Sequence, residues 1–306
     1  MRHVLSLLDL TTEEITRVLA LAAEYKSNLK SGNRPSVLAN NTLGLLFEKP
    51  SLRTRVSFET LTTQLGGDSL FLGEDVGWGK REPVQDFIPI LTSYLDLLVI
   101  RAKSHAAVAE ACEYSRCPII NGLTDVSHPC QALADMLTIQ EHTADVSKTK
   151  VAFLGDGNNV SYSLAVICCK LGIEFTLGAP GNYQFDAAFI DDLNNHAGKE
   201  LIRQSEDPIA SVKDAEFVFT DVWTSMGQEA ETKQRLADLK DYQVNKELMG
   251  KAGANAKFMH CLPARRGEEV TVDVIESGSS LIIEEAENRL HAQKGLVVWL
   301  TQEANA

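Results

Sequence analysis

Long apolar runs are missing from this chain of 306 residues. Although 44% of its residues are hydrophobic, no stretch approaches the roughly 20 apolar residues a membrane span needs, so no bilayer-spanning helix is expected. Positive charge is also short: 29 Lys and Arg stand against 42 Asp and Glu, a net charge of −13. That field disfavours nucleic acid and anionic membrane surfaces as partners, so a small anion has to be held by local donors. Cysteine is sparse as well. Cys112, Cys117, Cys130, Cys168, Cys169 and Cys261 lack the density of a disulfide scaffold, and no pair has zinc-like spacing to a second pair, so no metal is expected. Five of them read as small core residues. The first residues carry neither a signal-peptide pattern nor an Arg-rich transit segment, and Thr11 to Glu14 forms a capping box instead. A soluble, cytoplasmic protein is the expectation.

What is present is alternation. Strand-like runs at Leu43 to Phe47, Ser69 to Leu72, Asp96 to Ile100, Pro118 to Asn121, Val151 to Leu154, Glu174 to Leu177, Glu216 to Thr220, Lys257 to Cys261 and Leu281 to Ile283 are separated by helical periods. The pattern predicts an α/β protein with mainly parallel sheets flanked by helices. Helix stops fall at Gly66-Gly67, Gly172 and Gly250. A polar break, His142 to Lys150, divides the chain into two domains, residues 1–145 and 146–286. A last helix follows over residues 287–306.

Residues 47–59 carry the clearest chemistry. The strand ending at Phe47 breaks at Pro50, Ser51 caps a helix, and Val56, Leu61 and Leu65 mark its buried face. A helix N-terminus offers unpaired N–H groups and partial positive charge; Ser51 and Thr54 add hydroxyls, and Arg53 and Arg55 add guanidinium forks. Phosphate suits this turn, although a capped helix with surface arginines would read the same way. His128-Pro129-Cys130-Gln131 opens another helix with His128 and Gln131 on one side of a turn; alone it fits a capping histidine beside a solvated glutamine. Arg101 follows a strand's carboxyl end, where α/β sites are built. Gly155-Asp156-Gly157-Asn158-Asn159 invites a dinucleotide reading, but the third glycine and a ribose-binding acid on the next strand are absent. Thr220 to Glu229, with Gly227 as a hinge, and His260-Cys261-Leu262-Pro263 both follow buried strands. Local residues do not make Cys261 a thiolate. The loop Gly77 to Glu82 holds the cations Lys80 and Arg81 with little apolar content, and is expected to be mobile or anchored by a neighbouring chain.

In order, Ser51-Leu52-Arg53-Thr54-Arg55, His128-Pro129-Cys130-Gln131, Asp221 to Gly227 and His260-Cys261-Leu262-Pro263 resemble the signatures of the aspartate and ornithine carbamoyltransferases, with Leu52 in place of a usual threonine. The resemblance spans nearly the whole chain. It implies that Ser51, Leu52, Arg53 and Thr54 bind the phosphate of carbamoyl phosphate, that Arg101, His128 and Gln131 polarise the carbamoyl group, and that Arg289, opening the last helix, reaches the same ligand. Cys261 and Leu262 would line the point of attack. Asn159, Asp221, Ser225 and Met226 would bind ornithine, because Asp-x-x-x-Ser-Met-Gly and His-Cys-Leu-Pro are the forms typical of the ornithine branch. It further implies transfer of the carbamoyl group to the ornithine δ-amine, giving citrulline and phosphate for arginine synthesis, with no cofactor or metal because the mixed anhydride carries its own leaving group. A C-terminal helix packed on the first domain and a homotrimer, or multiple of trimers, whose phosphate sites are completed by Lys80 of the adjacent chain, are implied too. N-acetylornithine, putrescine and aspartate are the rival acceptors, and a non-catalytic ligand-binding protein of the same fold is the rival of another class.

Overall fold

The computed structural model describes residues 1–224 and 228–303. It divides into two compact units, Met1–Leu137 with Glu287–Ala306, and Thr138–Ala286.

The first unit is built on four parallel strands, β1 Thr42–Phe47, β2 Asp68–Leu72, β3 Leu97–Arg101 and β4 Ile119–Leu123, in the order β2-β1-β3-β4. Every residue of β3 is buried, as its unbroken Leu-Leu-Val-Ile run requires of a strand covered on both faces. β2 lies at an edge and stays largely exposed. Leu46, Leu98, Ile100, Val108 and Ile119 form a core that Trp78 joins. The Gly77 to Glu82 loop is therefore anchored by its own unit through one aromatic ring, contrary to expectation; Lys80, Arg81 and Glu82 remain exposed. The helix Ile282–Val298 packs its C-terminal part into this unit: Gly295 lies against the Val18 carbonyl and Ala22, an approach that a Cβ would block. Lys26 Nζ donates to Asn288 Oδ1 at 2.7 Å in the buried interface.

The second unit carries five parallel strands, β5 Lys150–Leu154, β6 Glu174–Gly178, β7 Ile202–Ser205, β8 Phe217–Thr220 and β9 Lys257–His260, in the order β7-β6-β5-β8-β9. Its core includes Leu154, Val218, Trp223, Phe258 and Val270. Among the described residues no helix is long and apolar enough to cross a membrane.

Both sheets reverse direction once. The chain leaves β1 for β2 on one side and returns to β3 on the other; it leaves β5 for β6 and β7, and returns to β8. Loops from adjacent strands diverge at such a switch point and leave a crevice at the strands' carboxyl ends. Phe47 pairs with Arg101 at the first switch and Leu154 with Thr220 at the second.

Two local expectations fail, and one strand goes unforeseen. Leu281 to Ile283 is not a strand: Ser280 makes a single bridge to Phe258, and Ile282 then starts the helix. A three-residue apolar run does not distinguish the two states, and Glu284 and Glu285 in the first turn favour the helix through its dipole. Strand β7 has too mixed a sequence, Ile-Arg-Gln-Ser, to announce itself. Val56 is 48% exposed rather than core; the helix Leu52–Gln64 instead buries Thr54, Ser57, Phe58, Leu61 and Thr62.

Candidate active site

In the first unit the switch point is occupied by the turn from β1 into the helix Leu52–Gln64. Ser51, extended at φ −154°, caps that helix by accepting from the Thr54 N–H at 3.4 Å. No acidic residue occupies the first turn, so the helix's positive end is left for an external anion. Arg55 takes no part: it pairs with Glu59 at 2.9 Å and lies over the Phe71 ring. The Leu52 side chain is 76% exposed and contributes only backbone to this turn.

Arg101, closing β3, is buried, as are His128, Gln131 and Arg289. Arg289 lies two turns inside the helix Ile282–Val298 rather than at its start. It donates from Nη1 to Gln131 Oε1 at 2.7 Å and from Nη2 to Thr54 Oγ1 at 2.9 Å. Gln131 Nε2 in turn donates to Asp135 Oδ1 at 2.7 Å. Burial holds the His128 imidazole well below its usual pKa, and the charges of Arg289, Arg101 and Arg53 lower it further. The ring is thus neutral at physiological pH. A neutral histidine among three guanidinium groups can donate a hydrogen bond to a carbonyl oxygen without repelling the arginines, which are left to an anion.

In the second unit the turn after β5 begins at Gly155, whose φ of +129° favours glycine and which lies against the Trp223 indole. Asn158 caps the helix Asn159–Leu171, accepting from the Val160 and Ser161 N–H groups at 2.9 and 3.1 Å. Its Nδ2 donates to Asp221 Oδ2 at 3.0 Å. Asp221, just after β8, also accepts from the Val222 N–H at 2.8 Å and from Cys261 Sγ at 3.2 Å. A nearly buried carboxylate thus has both oxygens oriented, a fit for an ammonium group. Asn159, the position singled out by the motif, opens the helix beside the cap; its neighbour Asn158 holds Asp221. Arg235 binds Asp156 in the β5 turn and the Trp223 carbonyl, and so ties the start of the following loop to that turn. Ser225, Met226 and Gly227 lie outside the described residues.

The segment after β9 is pinned by buried carboxylates. His260 Nε2 and Glu269 Oε1 are 3.1 Å apart, and the His260 N–H donates to Glu285 Oε2 at 2.7 Å. His260 Nδ1 accepts from the Leu262 N–H at 2.9 Å. That bond makes Nδ1 the unprotonated nitrogen and Nε2 the donor to Glu269. Leu262 sits at a positive φ of 59°, a conformation costly for a branched side chain and kept by these bonds. Asp221, His260 and Cys261 bring potential ligand atoms within 4.8 Å of one another, and the hydrogen bonds above already engage all three. Cys130 shows the contrast with Cys261: full burial pushes its thiol up to about 12, while Cys261 is half-buried at the site.

The geometry adds Asp135, Asn158, Arg235, Glu269 and Glu285 to the sequence-derived set. Signals existed for two of them: Asn158 is a favoured cap residue before a helix, and Asp135 follows Gln131 by four positions.

Residues 2–141 match the family model for the carbamoyl-phosphate-binding domain of aspartate/ornithine carbamoyltransferases, and residues 147–300 match that for the Asp/Orn-binding domain. The ornithine carbamoyltransferase of Wolinella succinogenes is 43% identical over 303 residues, covering 98% of each chain. Among solved structures, the ornithine carbamoyltransferase of Pyrococcus furiosus superposes with a TM-score of 0.93 at 43% identity, covering 98% of this chain and 96% of that one. The anabolic enzyme of Campylobacter jejuni gives 0.92 at 34% identity, covering 98% and 99%.

Proposed function

The chain belongs to the aspartate/ornithine carbamoyltransferase family, and from that premise we infer that it transfers the carbamoyl group of carbamoyl phosphate to the δ-amine of L-ornithine. The single observation that carries the reading is the buried Arg289, bonded at once to Thr54 of the phosphate turn and to Gln131 of the His128 helix, with Arg101 also buried and Arg53 contributing to the same positive field at His128. Three fixed cations call for a multiply charged anion, and a neutral donor beside them suits the carbonyl of the same ligand.

Residues of the first unit hold carbamoyl phosphate. Ser51, Arg53, Thr54 and the N–H groups at the helix start bind its phosphate; Arg101, His128 and Gln131 draw electron density from the carbamoyl carbon. Asp221 of the second unit pairs with the α-ammonium of ornithine, with Asn159, Ser225 and Met226 on the amino-acid end and Cys261 and Leu262 beside the reacting amine. The δ-ammonium, with a free pKa of about 10.4 by analogy with lysine, first gives up a proton. Its nitrogen lone pair then forms the new C–N bond, the bond from carbon to the phosphate oxygen breaks, phosphate leaves with that electron pair, and the attacking nitrogen gives up a second proton, which the departing phosphate can accept. Citrulline remains. Catalysis consists of orientation and charge stabilisation, with no cofactor called for. The anabolic character of the Campylobacter jejuni relative supports the synthetic direction, and six free thiols suit the reducing cytoplasm.

The active species on this reading is a homotrimer, or a multiple of trimers, with Lys80 of the neighbouring chain reaching the phosphate. Support comes from exposed Leu52, Val56, Leu70 and Phe71 on the helix Leu52–Gln64 and the edge strand β2, apolar surface of the kind that subunit contacts cover. The deciding experiment measures carbamoylation of ornithine, N-acetylornithine, putrescine and aspartate under one set of conditions. Ornithine should lead in kcat/KM; a larger value for any of the others would overturn the acceptor assignment.

A further inference from the structure

Asp135 lies one helical turn beyond Gln131, 1% exposed, and no step above uses it. A buried carboxylate is costly unless it is hydrogen-bonded. It takes part in a chain of bonds: Gln131 Nε2 donates to Asp135 Oδ1 at 2.7 Å, Arg289 Nη1 donates to Gln131 Oε1 at 2.7 Å, and Arg289 Nη2 donates to Thr54 Oγ1 at 2.9 Å. The two charged groups set the direction of this chain. An ionised carboxylate only accepts and a guanidinium only donates, so the Gln131 amide between them has one allowed orientation, oxygen toward Arg289 and nitrogen toward Asp135. Thr54, whose oxygen accepts from Arg289, keeps its hydroxyl hydrogen to give elsewhere.

We propose that Asp135 is a positioning residue for carbamoyl phosphate, the acceptor-only end of a directed chain that fixes the Gln131 amide and, through it, the Arg289 guanidinium and the Thr54 hydroxyl. This rests on the reading of the first unit as the carbamoyl-phosphate half-site. Without the carboxylate, the Gln131 amide loses its hydrogen bond to Asp135 and keeps the one from Arg289, so it is held less firmly and positions Arg289 and the ligand less well.

The test is a double-mutant cycle on the full-length enzyme. Asp135→Ala should lower kcat/KM for carbamoyl phosphate by about 10- to 100-fold, the range for a hydrogen bond to a charged group, with ornithine KM changed less than about twofold. Asp135→Asn keeps an oxygen that can accept but loses the charge, and should fall between parent and Asp135→Ala. In a Gln131→Ala background, Asp135→Ala should cost less than about twofold more, because its effect passes through the missing amide. The same factor lost in both backgrounds would overturn the proposal, since a purely structural role adds independently. Should Asp135→Ala fail to fold, Asp135→Asn is read through the same cycle. Near-parental use of carbamoyl phosphate by Gln131→Ala alone would remove the half-site reading, and the proposal with it.

Discussion

Arg289 offers the sharpest test of the first half-site because its two hydrogen bonds leave from different nitrogens, to Gln131 at 2.7 Å and to Thr54 at 2.9 Å. Each is a bond from a charged donor in a buried setting, worth roughly 1.5 to 3 kcal/mol. Arg289→Ala removes both and the charge, so transition-state stabilisation with carbamoyl phosphate should fall by roughly 3 to 6 kcal/mol, a drop in kcat/KM of about 100- to 25,000-fold. Arg289→Lys keeps the charge, but one ammonium on a shorter reach cannot serve both partners in the geometry of a planar fork. The loss of one bond predicts a drop of about 10- to 100-fold for that variant. Stability should respond less than activity, because removing one of three neighbouring guanidinium groups also relieves like-charge repulsion. The assay is steady-state citrulline formation at saturating ornithine with carbamoyl phosphate varied, alongside equilibrium unfolding. If Arg289→Lys matches the parent within twofold while Arg289→Ala is crippled, charge alone matters and the two-bond geometry is irrelevant. If both are active, Arg289 does not belong to the site.

Protonation gives a second test through stability. The folded pKa of His128 is lowered, so below about pH 6.5 the unfolded chain binds a proton that the native state refuses, and stability declines as pH falls. His128→Gln should lessen that decline by up to about 1.4 kcal/mol per pH unit between roughly pH 5 and 6.5, read from urea unfolding; an unchanged slope would mean that His128 is charged in the fold. In the second unit, Asn158→Ala should cost about 1 kcal/mol of stability through the lost cap and also raise the KM for ornithine. Asn158→Asp keeps the cap, yet sets a negative charge beside Asp221 and should raise that KM while leaving carbamoyl phosphate binding intact; an unchanged ornithine KM would detach Asn158 from the site. Activity should rise with pH above neutrality as the ornithine amine loses its proton, and a flat profile from about pH 6 to 9 with chemistry limiting would contradict direct attack by that amine. Mixing the inactive variants Lys80→Ala and Arg53→Ala under subunit exchange should restore part of the activity, and demonstrated exchange with no recovery would refute a shared phosphate site.

Features that depend on a few adjacent residues were legible in the chain itself. The Thr11 capping box, the Ser51 cap and the Gly172 stop all form where the residue types place them, because each satisfies backbone groups within one turn. The α/β class was equally readable, since buried parallel strands such as Leu97–Arg101 leave unbroken apolar runs. Strand β7 and the Leu281 to Ile283 segment were not, because short or mixed runs carry no period of their own and neighbours decide their state.

The chemistry of the site needed tertiary structure for a different reason. The motif at residues 51–55 names two arginines, and only packing shows that Arg55 turns to Glu59 and Phe71 while Arg53 acts on His128. Arg289 meets Gln131 and Thr54 across 158 and 235 residues of chain, and Asn158 meets Asp221 across 63. No local rule couples positions so distant in sequence. Within each unit the fold brings its own set of residues together, and burial there makes each hydrogen-bond partner obligatory and, in the first unit, holds His128 neutral.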